Sequence, residues 1–243
     1  PTAGVTSEVG AVSTCMNSGT HLRAGDGLDG AISEVSLGLG SYIPKSVNYT
    51  KTRQVMNFSF DESSTDQVID TSELANHGML MNGATRKYGT YDIQSKGVQL
   101  DASLNQYVEI PGAAYENYNF STSTMSAWVY TTSGGSILKR TGSFDLSVSG
   151  GSLKFTDLVT YDDATSSMTI DNDTWTHVAV VIDEFNKNVT FYKDGVLVDT
   201  IAASSPINLP MSTTNIHIGE GFTGVMDNVI IDLGKVDITA KTS

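Results

Sequence analysis

The decapeptide TWTHVAVVID, residues 174–183, is the stretch that most constrains the fold. Along it Trp175, His177, Ala179 and Val181 fall on one side and Val178, Val180 and Ile182 on the other, a period of two with apolar side chains on both faces. Such a strand belongs near the middle of a sheet. It leads into NVTFYKDGVLVDTIA, residues 188–202, where Asp194-Gly195 separates two β-rich runs. Gly195 supplies the positive φ that a tight hairpin turn requires.

The rest of the chain has the same texture. RQVMNFSF (53–60), GVQLDASLNQYVEIP (97–111, with an internal turn), MSAWVYT (125–131), SILKR, FDLSVSG and SLKFTD are short alternating runs separated by Gly, Asn and Asp. This pattern predicts an all-β, antiparallel two-sheet sandwich. Residues 61–96 are more polar, contain DTSELANHG, and read as a long surface loop.

Composition removes several classes of function. With 27 Asp and Glu against 14 Lys and Arg, the net charge of −13 repels phosphate backbones, and nucleic acid is not an expected partner. Cys15 is the only cysteine, so stability has to come from packing rather than from an intramolecular disulfide. No run of about 18 apolar residues is present to span a bilayer. The opening residues carry no positive charge before Arg23 and no sustained apolar core, so no signal peptide is expected.

GEGFTGVMDNVIIDLG at residues 219–234 has an ungapped twin, GDGLDGAISEVSLGLG, at residues 25–40. Gly25, Gly27, Gly30, Val35, Leu39 and Gly40 match Gly219, Gly221, Gly224, Val229, Leu233 and Gly234, and the apolar alternation keeps the same phase. Gly-x-Gly-x-x-Gly also spells a dinucleotide-binding fingerprint, which needs a helix after the glycines. The period after Gly224 is two, which predicts a strand and argues against a nucleotide.

Five pieces in order resemble the laminin-G-like members of the concanavalin A-like lectin/glucanase superfamily: MNFSFDESSTDQVIDTSELANHGMLMNGAT, GVQLDASLNQYVEIPG, MSAWVYT, WTHVAVVIDEFNKNVTFYKDGVLV and IHIGEGFTGVMDNVII. The resemblance implies an antiparallel jelly-roll sandwich over residues 51–243, of a kind used to bind glycans or protein surfaces and as a spacer in large assemblies. It also makes the segment 1–50 look like the closing strands of a second sandwich. Fifty residues do not bury a sandwich of their own. The segment either packs on its own chain, completes a neighbouring subunit, or derives from a preceding domain. Strands with an open apolar face seek a sheet edge, so an intersubunit contact is the expectation, with other copies of the chain or a neighbouring assembly subunit as partner.

Candidate chemistry is sparse. The retaining glucanases of this superfamily carry Glu-x-Asp-x-x-Glu on one strand, a pattern absent here, so no enzyme activity is expected. His21, His77, His177 and His217 show no metal-ligand spacing, and His177 reads as a structural side chain. The resemblance implies calcium positions at Asp101, Asn105 and Asp227, with Asp61 and Glu62 of FDES as a second possibility. For a glycan, aromatic and amide side chains gather in YENYNF, giving Tyr115, Asn117, Tyr118 and Asn119 as candidate ligand contacts, with loop-to-core packing as the alternative. Trp128 and Trp175 are expected in the core. The expected function is a noncatalytic structural or decoration protein of an extracellular or virion assembly. The alternative is a carbohydrate-binding adhesin or receptor-binding module.

Overall fold

The computed structural model describes residues 53–63, 65–88, 95–160, 162–236 and 238. The twin at 25–40 and the intersubunit reading of residues 1–50 lie outside these residues. Within them the alternating runs form fifteen strands. The first eight are β1 (Arg53–Phe58), β2 (Gln67–Val68), β3 (Gly78–Met81), β4 (Thr85–Tyr88), β5 (Lys96–Leu100), β6 (Tyr107–Ile110), β7 (Thr122–Arg140) and β8 (Phe144–Ser149). Then come β9 (Ser152–Asp157), β10 (Asp162–Thr165), β11 (Thr176–Asp183), β12 (Asn188–Lys193), β13 (Val196–Ala202), β14 (Ile216–Ile218) and β15 (Thr223–Leu233).

All pairings are antiparallel, and they make two sheets that share one strand. The first runs β13-β12-β11-β7-β15-β5-β4, with β1 also on β15. The second runs β10-β9-β8-β7-β14-β6-β3-β2. β7 spans 19 residues and serves both. Its first half pairs with β11 and β15, and its second half, from Gly135 on, pairs with β8 and β14.

The inward positions of both sheets are apolar at every second residue. Met125, Ala127 and Val129 of β7, Val178, Val180 and Ile182 of β11, and Met226 and Val229 of β15 meet Val108 and Ile110 of β6, Leu146 of β8, Phe155 of β9 and Ile218 of β14 in one core. Each large apolar side chain buried there contributes roughly 1.5–3 kcal/mol relative to exposure. β11 is buried along its whole length between β7 and β12, as its two-faced sequence predicts. The Asp194-Gly195 turn closes the β12–β13 hairpin with φ of 49° and 77° at its two residues, the left-handed pair of a type I′ turn.

Two expectations need correcting. The polar segment 61–96 contains β2, β3 and β4 rather than a loop throughout. These strands hold two to four residues each, too few to show a period, and a side chain organises their connection. Asp70, 2% exposed, accepts from Asn57 N and Ser72 N on Oδ1, both at 2.9 Å, and from Ser72 Oγ at 2.8 Å and Asn76 N at 3.0 Å on Oδ2. Trp128 and Trp175 are half-buried and stand outside the core. Ala127 and Val129 take the inward positions, so Trp128 points outward and packs edge-on against His177 at 5.3 Å.

The glycine motif is a strand, turn and strand. β14 ends at Ile218 and β15 begins at Thr223, so no helix follows the glycines. Gly224 holds φ at 149°, and a Cβ there would lie 2.0 Å from the Tyr130 carbonyl oxygen. A backbone atom cannot move aside as a side chain can, so Gly224→Ala is expected to destabilise the fold by at least about 3 kcal/mol. Urea unfolding followed by tryptophan fluorescence measures this, and an unchanged midpoint would contradict the close approach of β15 to β7.

Candidate functional site

On the outward face of the second sheet one side chain from each of seven strands falls into line. Met79 stands beside Glu109, Glu109 beside His217, His217 beside Lys139, Lys139 beside Asp145, Asp145 beside Thr156, and Thr156 beside Asp163. At about 4.8 Å per strand the row is roughly 29 Å long. Alternation puts it there: Val108 and Ile110, Leu138 and Arg140, Phe144 and Leu146, and Ile216 and Ile218 turn inward and leave Glu109, Lys139, Asp145 and His217 outward. The ends are open, with Met79 46% and Asp163 48% exposed, and the middle is half-buried.

The middle of the row is tightly connected. Tyr107, two residues along β6 from Glu109, lays its ring against the His217 imidazole with centroids 4.5 Å apart. His217 Nδ1 meets Glu220 Oε2 at 2.7 Å, and its Nε2 faces Glu109 Oε2 at 3.7 Å. Glu220 reaches back to β14 from the following turn. Gly219 makes that turn possible with φ at 80°, a Cβ there falling 1.9 Å from Leu100 Cδ1. The other carboxylate oxygen of Glu220 pairs with Lys139 Nζ. Burial pushes the Glu220 carboxyl up, but the bonds from Lys139 and His217 outweigh it and hold the group below its ordinary value. At the far end Lys154 pairs with Asp163 at 2.8 Å, and Thr156 Oγ1 donates to the same carboxylate at 2.7 Å.

Asp145 is the uncomfortable member. Its Oδ1 is sealed from solvent and accepts no hydrogen bond among the described residues. Burial raises its carboxyl above the ordinary value, against a Ser136 hydrogen bond and the field of Lys139.

The predicted site residues lie elsewhere. Tyr115 is fully buried, its hydroxyl donating to the Val55 carbonyl at 3.3 Å, and its ring meets Tyr118 and Phe120 at 6.2 and 6.0 Å. Tyr118 packs partly against the core with the Arg53 guanidinium 5.5 Å from its ring centre. Asn119 accepts from Ser121 N at 2.8 Å, and Asn117 donates to Glu116 at 3.3 Å on the surface. This group is a turn seated on the core, with Asn117 and Asn119 its exposed members.

The calcium positions divide. Asp101 and Asn105 flank the 3-10 turn Ala102–Leu104, where Asp101 Oδ1 accepts from Ser103 N and Oγ at 2.8 and 2.7 Å. Those bonds hold its carboxyl below the ordinary value. Asp227 lies one residue past the Met226–Val98 pair, so it sits about 13 Å along β5 from Asp101. It is fully buried, with Oδ1 accepting from Asn228 N at 2.6 Å. Calcium ligands stand about 2.3–2.6 Å from one ion. Asp101, Asn105 and Asp227 therefore do not close around a single ion. Asp61 accepts from Lys96 N at 2.8 Å and Glu62 pairs with Arg86 at 3.0 Å, so both carboxylates already have protein donors.

A family model described as the concanavalin A-like lectin/glucanases superfamily matches residues 101–231. The chain belongs to that superfamily. Its fold is similar to domain 4 of AbnA, a GH43 extracellular arabinanase from Geobacillus stearothermophilus, in complex with arabinotriose. That match has 17% identity and a TM-score of 0.59, and covers 79% of this chain and 99% of that one. The binding domain of Paraclostridial Mosquitocidal Protein 1 matches at 16% identity and a TM-score of 0.61, covering 78% of this chain and 51% of that one. The binding domain of botulinum neurotoxin DC, in complex with rat synaptotagmin II, matches at 13% identity and a TM-score of 0.58, covering 78% and 50%. This chain thus spans nearly the whole arabinanase domain and about half of each toxin domain. At these identities the likeness carries the fold alone. No curated protein matches the sequence. Among the described residues no helix is long and apolar enough to cross a membrane.

Asp145 gives a test of the row's electrostatics. A carboxyl whose folded pKa is raised favours folding only below its unfolded pKa, and that contribution is lost as pH rises through the folded value. Asp145→Asn, uncharged at every pH, is expected to be more stable than the parent at pH 7, with the gain shrinking as pH falls from the raised folded value and gone below the ordinary 3.8. Urea midpoints measured across this range check it, and a loss of stability at pH 7 would show that the carboxylate is satisfied.

Proposed function

We propose that this superfamily member is a noncatalytic glycan-recognition module of an extracellular protein, binding a chain-like oligosaccharide along the outward row of the second sheet. The observation that carries the reading is the continuity of the row: Glu109, His217, Lys139 and Asp145 stand on four adjacent strands, with the Tyr107 ring beside them. A sugar chain offers hydroxyls at regular intervals and apolar ring faces. A flat array of donors and acceptors next to an aromatic ring suits both. The fold supports the reading too, since the similar arabinanase domain is in complex with arabinotriose.

The same geometry argues against hydrolysis. Glu220 is held ionised by Lys139 and His217, which suits no general acid, and the raised carboxyl of Asp145 has its Oδ1 sealed away from any substrate. A glycosidase needs one carboxyl of each kind reaching the same bond.

Tyr107→Ala and His217→Ala are each expected to weaken binding to a glycan array hit by about tenfold or more, the cost of a lost stacking or charged hydrogen-bond contact. Thermal midpoints should stay within a few degrees of the parent. Asn117→Ala with Asn119→Ala tests the turn at 115–119 as the competing site. Binding lost there and kept in His217→Ala would move the site to that turn. A chelator should leave binding on the row unchanged, and chelator-sensitive binding would reinstate calcium as a cofactor.

The sequence twin favours a second role, in which the segment 1–50 ties the chain to other copies or to a neighbouring subunit of an extracellular or virion assembly. Light scattering on the full chain and on a chain beginning at residue 51 tests it. An assembly that survives the deletion would contradict it.

A further inference from the structure

The charges of the row carry an inference that rests on the glycan reading and sharpens it. Its cations are already committed. Lys139 pairs with Glu220, and Lys154 pairs with Asp163 at 2.8 Å. Among the described residues Glu109 pairs only with the His217 imidazole, at 3.7 Å, and Asp145 makes no ion pair and leaves Oδ1 without a donor. Two lysines and one imidazole stand against the carboxylates of Glu109, Glu220, Asp145 and Asp163, so carboxylates outnumber cationic groups along a half-buried strip whether or not the imidazole carries a proton. Half-burial weakens solvent screening, so that surplus is felt by whatever lies on the strip.

We propose that this face takes sugars that donate hydrogen bonds, through hydroxyl or amino groups, and rejects sugars that carry carboxylate or sulfate groups. An incoming anion would have to break the Lys139–Glu220 or Lys154–Asp163 pair to find a cation, and each break would expose a further carboxylate to it. A hydroxyl loses nothing there, because carboxylates are acceptors only and a hydroxyl supplies the donor. An amino sugar adds a charge opposite to the surplus.

The test compares hexamers that differ in charge: glucose, galactose and arabinose hexamers as neutral probes, glucuronate and galacturonate hexamers as anionic ones, and a glucosamine hexamer as the amine. Binding is measured by calorimetry with the full chain at pH 7.5. The expected result is binding of at least one neutral or amine hexamer, with its uronate counterparts at least about tenfold weaker. The gap should shrink at about 0.5 M salt, where the Debye length falls to a few ångströms. In Glu109→Gln combined with Asp145→Asn the gap should narrow to about threefold or less, as two negative charges are removed without loss of side-chain shape. Uronates that bind as well as neutral hexamers, or a gap unchanged in the double variant, overturn the charge selection while the glycan reading stands. If no hexamer binds, or binding is indifferent to His217→Ala, the glycan reading and the charge selection fall together.

Discussion

The structure depends on β7 being a central strand of both sheets at once. Its first half lies between β11 and β15 and its second half between β8 and β14, with Gly134 and Gly135 at the bend between them, at φ of 82° and 124°. A Cβ on Gly135 would come within 2.3 Å of the Gly221 carbonyl oxygen, so the bend is locked against the turn that launches β15. Through this one strand the register of the first sheet fixes the register of the second. A slip of one residue would turn Lys139 inward and Leu138 outward, and the row with it.

The row is an expensive surface. Half-buried long side chains give up rotamer freedom, and Asp145 gives up a hydrogen bond. Ion pairs of this exposure return little stability. A sheet that needed only to cover its core would place Thr, Ser and scattered lysines outside, as partly happens on β9 with Lys154 and Thr156. Breaches of local rules concentrate at functional sites, and the crossing of β14, β7 and β8 holds one at Asp145.

The fold was largely legible in the sequence, and the site was not. The two-faced run 174–183 announces a central strand, Asp194-Gly195 announces its hairpin, and the period of two after Gly224 excludes a nucleotide-binding helix. Each of these signals is local. Trp128 and Trp175 lie in strand-like runs, which suggests a core, whereas inward or outward is decided by phase: Ala127 and Val129 are inward beside Trp128, and Val178 and Val180 are inward in the run that Trp175 opens. The aromatics of YENYNF are close in sequence, as a ligand cluster would be, yet that closeness serves to seat Tyr115 in the core. Glu109, Lys139, Asp145 and His217 come from four separate strands, and only the pairing of β6 with β14, and of β7 with β14 and β8, brings them together. The outward polar positions were visible one strand at a time. Their alignment is a property of register, which no single run contains.

The most direct measurement of the central claim is an NMR titration of the full chain with a neutral oligosaccharide, following backbone amides and the His217 ring. The account predicts saturable shifts confined to Tyr107, Glu109, Lys139, Asp145, His217, Glu220 and their neighbours on β6, β7, β8 and β14. Saturable shifts centred instead on residues 115–119, or on the outward face of the first sheet, would contradict it.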